Sequence, residues 1–191
     1  MNAASLIIGI RILFHNNEGG LYITHIYAID RGGNQTKLVL DPVEVKDEVK
    51  RITAIAGSAY SVVDQCLKGV KLGTTVDVLL TQLENKALLR VVGTDGIVLS
   101  GTDAVYTGAR IELYSDGTRM DSVTVAVMGD LDGNGTVDTT DYLRIKSAFL
   151  ERYAMGTAEA IAADVDGDGS ITTTDHLRIK KHFLGTYELY G

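Results

Sequence analysis

Between residues 6 and 45, apolar and β-branched side chains come in short runs, LIIGIRILF, LYITHIYAID and TKLVLDPVEV, separated by HNNEGG and RGGN. Runs of this length bounded by glycine and asparagine read as strands joined by tight turns. In the second run Leu21, Ile23, His25 and Tyr27 fall on one face and Tyr22, Thr24, Ile26 and Ala28 on the other, because strand side chains alternate. Both faces are partly apolar. Over residues 49–127 the period changes once: Thr75 precedes Val76, Leu79, Leu80 and Leu83, with Asp77 in the first turn, which is the signature of a capped amphipathic helix. A strand at residues 60–63 comes before it. ALLRVVG, GIVLS, ARIELYS and DSVTVAVM follow, joined by Thr-Asp-Gly and Ser-Asp-Gly turns. The expected order is β-α-β-β-β-β. Beyond Gly129 the spacing turns helical, with Leu143, Ile145, Phe149 and Leu150 inside a helix at residues 140–152 and a shorter candidate at 157–163 opening on a threonine cap at Thr157.

An internal repeat organises that last third. DLDGNGTVDTTDYLRIKSAFL at residues 130–150 recurs as DVDGDGSITTTDHLRIKKHFL at 164–184, displaced by 34 residues. In each copy acids or amides stand at loop positions 1, 3 and 5, glycine at 6 and aspartate at 12, the calcium-loop spacing of an EF-hand with Asp replacing the usual closing Glu. A hard divalent cation takes about six to eight oxygens, and alternate side chains of a tightly curled loop converge on one point. The first loop therefore offers Asp130, Asp132 and Asn134 as side-chain ligands, Gly135 as the turn and Thr136 as a backbone carbonyl. Asp138 follows as a direct or water-mediated ligand and Asp141 as the closing carboxylate. The second offers Asp164, Asp166, Asp168, Gly169, Ser170, Thr172 and Asp175 in the same roles. Two such loops in register, each followed by a matching helix, make two Ca²⁺ ions the expected cofactor. Carboxylates this close repel one another without a cation, so the loops are expected to depend on calcium to fold. Magnesium fits less well, because a multidentate protein cage suits the larger, more flexible calcium sphere.

Composition narrows the remaining classes. A chain of 191 residues, 45% hydrophobic and 23% charged, has enough material for one ordinary core or two to three small ones. Its 21 glycines against one proline point to turns rather than a disordered linker. A net charge of −7 opposes a phosphate backbone, and no Lys/Arg cluster provides a local exception, which argues against nucleic acid. Cys66 is the only cysteine, so an internal disulfide and a thiolate zinc cluster are excluded and a buried apolar thiol is expected. The opening MNAASLIIGIRILF lacks a basic leader and is interrupted by Arg11, so it reads as a strand rather than a signal peptide. No apolar run approaches the ~20 residues of a membrane-spanning helix. His25 has no second metal-binding side chain at a useful spacing. The middle region's carboxylates, Asp77, Glu84, Asp95, Asp103, Glu112, Asp116 and Asp121, are scattered over turns and polar faces, so they read as solvated surface rather than a catalytic group.

A calmodulin-like sensor needs a helix entering each loop, and the first loop is entered by the alternating strand DSVTVAV. The arrangement loop-helix, connecting helix, loop-helix over residues 129–189 instead resembles a dockerin. The resemblance implies a cohesin module of a scaffoldin as partner, docking in an extracellular, cellulosome-like assembly. Contact is then implied through Thr139, Thr140, Leu143, Arg144, Lys146 and Ser147, or through Thr173, Thr174, Leu177, Arg178, Lys180 and Lys181 of the other copy. The near identity of DYLRIK and DHLRIK leads to an expectation of two docking orientations, with His176 against Tyr142 and Lys181 against Ser147 as departures that bias the choice. The G-x-Y-x-x-H-x-Y run and Gly-Asn turn in GGLYITHIYAIDRGGN resemble the closing hairpin of a GBS Bsp-like repeat, the tail of a β-sandwich-type domain whose earlier strands lie outside the chain. The middle region, with its G-T-T-x-x-x-L-L helix start and a last strand leading straight into a calcium loop, resembles small α+β modules that precede dockerins.

The expectation is thus a multi-domain chain: a mainly β partial module at 1–48, a small α+β module at 49–128 and an all-α dockerin with two EF-hand-like loops at 129–191. Its function is calcium-dependent docking without catalysis, in a secreted setting associated with polysaccharide degradation, the upstream modules acting as spacers or binding a carbohydrate or cell-surface ligand. The alternative is the C-terminal part of a larger secreted polysaccharide-degrading or cell-wall enzyme. An intracellular calcium sensor is a third reading, which would require ion-dependent exposure of an apolar groove.

Overall fold

A computed structural model describes residues 9–17, 20–30, 32–38, 43–45 and 51–190. The chain divides into two compact units, Met1–Val49 and Lys50–Gly191.

In the first unit four strands, β1 (Gly9–Asn17), β2 (Gly20–Ile29), β3 (Gln35–Leu38) and β4 (Val43–Val45), form one antiparallel sheet. β2 pairs with β1 along its length, and on its other edge with β3 near Ile26–Ile29 and with β4 near Leu21–Ile23. The expected single run TKLVLDPVEV is therefore two short strands, with residues 39–42 outside the described residues. Residues 15–17, expected in a turn, extend β1, since the register carries on through His15 opposite Tyr22 to Asn17 opposite Gly20. The RGGN turn is held by Asp30, whose carboxylate accepts N–H bonds from Gly32 (2.8 Å) and Asn34 (2.9 Å), while Gly33 takes φ +79°. Of the opening MNAASLIIGIRILF, residues 9–14 lie in β1 and residues 1–8 fall outside the described residues.

The second unit holds a six-stranded sheet and four helices. Its strands are β5 (Ser61–Val63), β6 (Cys66–Val70), β7 (Leu89–Val92), β8 (Val98–Leu99), β9 (Arg110–Ser115) and β10 (Thr118–Val127), in spatial order β5-β6-β10-β9-β7-β8. Only β6 and β10 run parallel. Helix α1 (Val76–Thr81) is capped by Thr75, whose hydroxyl accepts from the Val78 amide, as the pattern requires. Val76, Leu79 and Leu83 join Leu67, Val70, Ile111, Leu113, Val123, Val125 and Val127 in the main core. Alternation in β10 sends Val123, Val125 and Val127 into that core.

Two features differ from the pattern. β6 is an additional strand, making the order β-β-α-β-β-β-β. Its hairpin with β5 turns on Asp64 and Gln65, both at positive φ (+49° and +61°), so no glycine marks the turn in the sequence. The expected strand ALLRVVG starts late, because residues Lys86–Leu88 make a 3₁₀ turn before β7.

After β10 come helices α2 (Thr139–Phe149), α3 (Thr157–Ala163) and α4 (Thr173–Phe183) around a second core of Leu131, Ile145, Ala163, Val165 and Ile179. α3 lies against β6 and β10, and Met128 and Gly129 donate to the carbonyls of Val70 and Ala162, so sheet and helices share one body. Thr157 is not the cap of α3. Gly156 holds that position, with its amide donating to Glu159 Oε2 at 3.4 Å. Among the described residues, no helix is long and apolar enough to cross a membrane.

Candidate metal centres and docking face

Each loop is shaped by the chemistry of its helix start. Asp138 caps α2, accepting from the Thr140 amide at 2.7 Å, and Asp141 returns the bond by accepting from the Asp138 amide at 2.8 Å. Thr172 and Asp175 repeat the capping box at α4, at 3.1 and 2.8 Å. The closing aspartates also reach back to the loop start. Asp141 Oδ1 accepts from Leu131 (2.7 Å) and Asp132 (3.1 Å), and Asp175 Oδ1 from Val165 (3.0 Å) and Asp166 (3.3 Å). Both side chains are fully buried, and each closes its loop from two directions.

Inside these rings the acids converge. Oxygens of Asp130, Asp132 and Asp141 all lie within 4.8 Å of one another, as do those of Asp164, Asp166 and Asp168. Asn134 and Asp168 fold over the amides of Thr136 and Ser170, each at 2.8 Å. Asp138 lies at the mouth of its loop, also accepting from the Thr136 hydroxyl at 3.1 Å. Burial pushes the Asp130 and Asp141 carboxyls above the usual carboxylate range, whereas the Thr140 amide holds Asp138 below it. Oδ1 of Asp164 is buried with no protein partner, which is costly for a carboxylate oxygen unless a cation completes it. An all-oxygen donor set of clustered carboxylates, an orphaned carboxylate oxygen and a glycine-permitted curl fit a hard cation such as calcium.

The helix faces are divided sharply. Ile145 and Ile179 are fully buried, but Leu143, Phe149, Leu150, Leu177 and Leu184 are about half exposed. The stripe Leu143, Ile145, Phe149, Leu150 is therefore not one core face: a single isoleucine per helix anchors, and the leucines project outward. Thr139, Thr140, Lys146, Thr173, Thr174, Lys180 and Lys181 are exposed and Ser147 is half-buried. Arg144 and Arg178 are held internally by different partners, Arg144 by Glu159 on α3 (3.3 Å) and Arg178 by Asp166 of the second loop (3.7 Å). Tyr142 and His176, read from the sequence as departures that bias an outward face, stack on each other between α2 and α4, centroids 4.9 Å apart. Burial, with Lys180 and Lys146 nearby, pushes the His176 imidazole below its ordinary value.

One carboxylate read as solvated surface is not. Glu112 on β9 is 4% exposed and meets Arg90 (2.7 Å), Arg119 (3.0 Å) and the Tyr114 hydroxyl (3.1 Å). Tyr114 stands two residues along the same strand, but Arg90 and Arg119 reach Glu112 only when β7, β9 and β10 pair, so no local spacing could signal the two arginines. Cys66 is buried and unpaired, as expected, and burial raises its thiol.

No curated protein and no solved structure matches the chain. Residues 128–184 match the family model of the dockerin type I domain, a module whose general activity is calcium-dependent docking to a cohesin.

Proposed function

We propose that this chain is a non-catalytic, secreted docking protein. Its two loops each hold one Ca²⁺, with Asp130, Asp132, Asn134, the Thr136 carbonyl, Asp138 and Asp141 as ligands in the first loop. Asp164, Asp166, Asp168, the Ser170 carbonyl, Thr172 and Asp175 serve the second. The ions hold α2 and α4 in a geometry that a cohesin grips, anchoring the protein to an extracellular, cellulosome-like scaffold. The observation that carries the reading is the duplicated loop and helix, in which equivalent leucines, Leu143 at 52% and Leu177 at 47% exposure, stand outside the core beside equivalent lysines. Exposed apolar side chains at matched positions of a repeat suit a surface that can be read in either of two orientations. The unit Met1–Val49 and the sheet of the second unit act as spacers or present a surface ligand site. A pull-down of the full chain against a panel of cohesins, with calcium and with EDTA, tests this. Capture by at least one cohesin in calcium alone is expected, and tight capture that persists in EDTA would refute the calcium dependence.

A further inference from the structure

The two loops carry equal numbers of acids, Asp130, Asp132, Asp138 and Asp141 against Asp164, Asp166, Asp168 and Asp175. Charge count therefore does not separate their affinities, and rigidity is the remaining determinant. Their surroundings differ. The Asp130 carboxylate accepts N–H bonds from Gly133 (2.9 Å) and Gly135 (3.3 Å) within its loop and from Thr107 (3.0 Å), which lies ahead of β9 and outside the helical repeats. Its equivalent, Asp164, accepts from Gly169 (3.0 Å) and keeps Oδ1 without a protein partner. Thr107 is itself fixed to the end of β10: its hydroxyl accepts from the Val127 amide (2.9 Å) and donates to the Val127 carbonyl (3.3 Å).

Two more contacts lie against the same loop. Gly133 takes φ +73°, and a Cβ there would stand 2.4 Å from the Thr107 carbonyl oxygen, whereas Gly167, at the same position of the second loop with φ +75°, faces open space. The Tyr190 hydroxyl donates to the Met128 carbonyl (2.7 Å) and its own carbonyl accepts from Lys71 Nζ (2.9 Å), strapping the C-terminal tail across the start of the loop onto the sheet body.

We infer that the sheet body forms an outer wall of the first metal site, with Thr107 as a positioning residue for Asp130, so that the first loop binds calcium more tightly than the second and fills first. The inference rests on the reading of both loops as calcium sites. A fixed amide orients the carboxylate before the ion arrives, and outer-shell partners of this kind are worth roughly 10–100-fold in metal affinity. At intermediate calcium the first loop is then loaded while the second, and the start of α4 with it, waits for its ion.

Calcium titration of the full chain by ¹H–¹⁵N NMR resolves the sites, because the Gly135 and Gly169 amides each donate to the first aspartate of their own loop. In the wild type the Gly135 shift is expected to saturate before that of Gly169. Gly133→Ala and Gly167→Ala impose the same left-handed backbone strain, but only the first collides with Thr107, so Gly133→Ala is expected to weaken its loop about 10-fold more than Gly167→Ala weakens the other. Equal losses, or earlier saturation of Gly169, would overturn the inference. Silence of both amides would instead overturn the calcium reading, and the inference with it. If Gly133→Ala does not fold, Thr107→Ala decides, since it removes both hydroxyl bonds and is expected to lower affinity in the first loop alone; an unchanged first loop counts against the proposal.

Discussion

Asp141 and Asp175 each combine two tasks, closing a helix cap and tying down the start of their loop. Each accepts three backbone N–H bonds, from Leu131, Asp132 and Asp138 and from Val165, Asp166 and Thr172. Truncation strands those donors as well as removing a ligand, and each buried donor left unpaired costs about 1–3 kcal/mol. The double variant Asp141→Ala, Asp175→Ala is accordingly expected to lose both calcium-induced thermal stabilisation and cohesin capture. A melting temperature that still rises on adding calcium would contradict the ligand assignment. Glu112 is the other residue whose environment departs from its apparent role. Its carboxyl is held below the ordinary glutamate value, chiefly by the Arg90 guanidinium. A folded value below the unfolded one contributes stability that is present above about pH 4.3 and is lost as the pH falls through the depressed value. Glu112→Gln is expected to destabilise by about 1–3 kcal/mol at neutral pH. Urea midpoints of variant and wild type should converge on acidification; a gap that stays constant with pH would remove the charge from the explanation.

At the scale of elements, α2 and α4 divide labour within a single turn. Ile145 and Ile179 fill the second core, so either Ile→Ala change is expected to cost about 2–5 kcal/mol. Leu143 and Leu177 lie outside it, and charged replacements there should change stability by no more than about 0.5 kcal/mol. Leu143→Asp together with Leu177→Asp is expected to abolish cohesin capture while the melting temperature hardly moves, and each single variant is expected to retain capture through the other face. Loss of capture by one single variant alone would reduce the two orientations to one. Tyr142 and His176, the position at which the two repeats differ, stack on each other across the helix pair, a relationship that neither helix carries in its own sequence.

At the scale of the whole molecule, calcium should act on stability by mass action. A ligand that binds only the folded state adds about 2.7 kcal/mol for each site when free ion is at 100 times its dissociation constant. EDTA is expected to lower the unfolding temperature of the helical region, and because Asp130 is tied to Thr107 and Met128 to Val70, to weaken the sheet body of residues 51–127 with it. Hydrogen exchange in β6 and β10 that is indifferent to EDTA would show that the bodies open independently. These ties also show why the sequence presents separate regions where the structure forms one unit from Lys50 to Gly191. Motif boundaries follow local spacing, whereas shared burial depends on which surfaces meet.

The amino-acid order alone determined what short-range chemistry controls. The curl of each acidic loop, the helix behind it, the Thr75 cap and the alternation of β10 depend on residues within about a dozen positions of one another, and all were legible. Tertiary structure decided what depends on distant neighbours: the β6 strand behind a glycine-free turn, the burial of Glu112 among strands from two hairpins, the stacking of Tyr142 on His176, and the amide of Thr107 against Asp130. In each of these a side chain's energy is set by a partner brought up from elsewhere in the chain, and spacing along the sequence carries no record of that meeting.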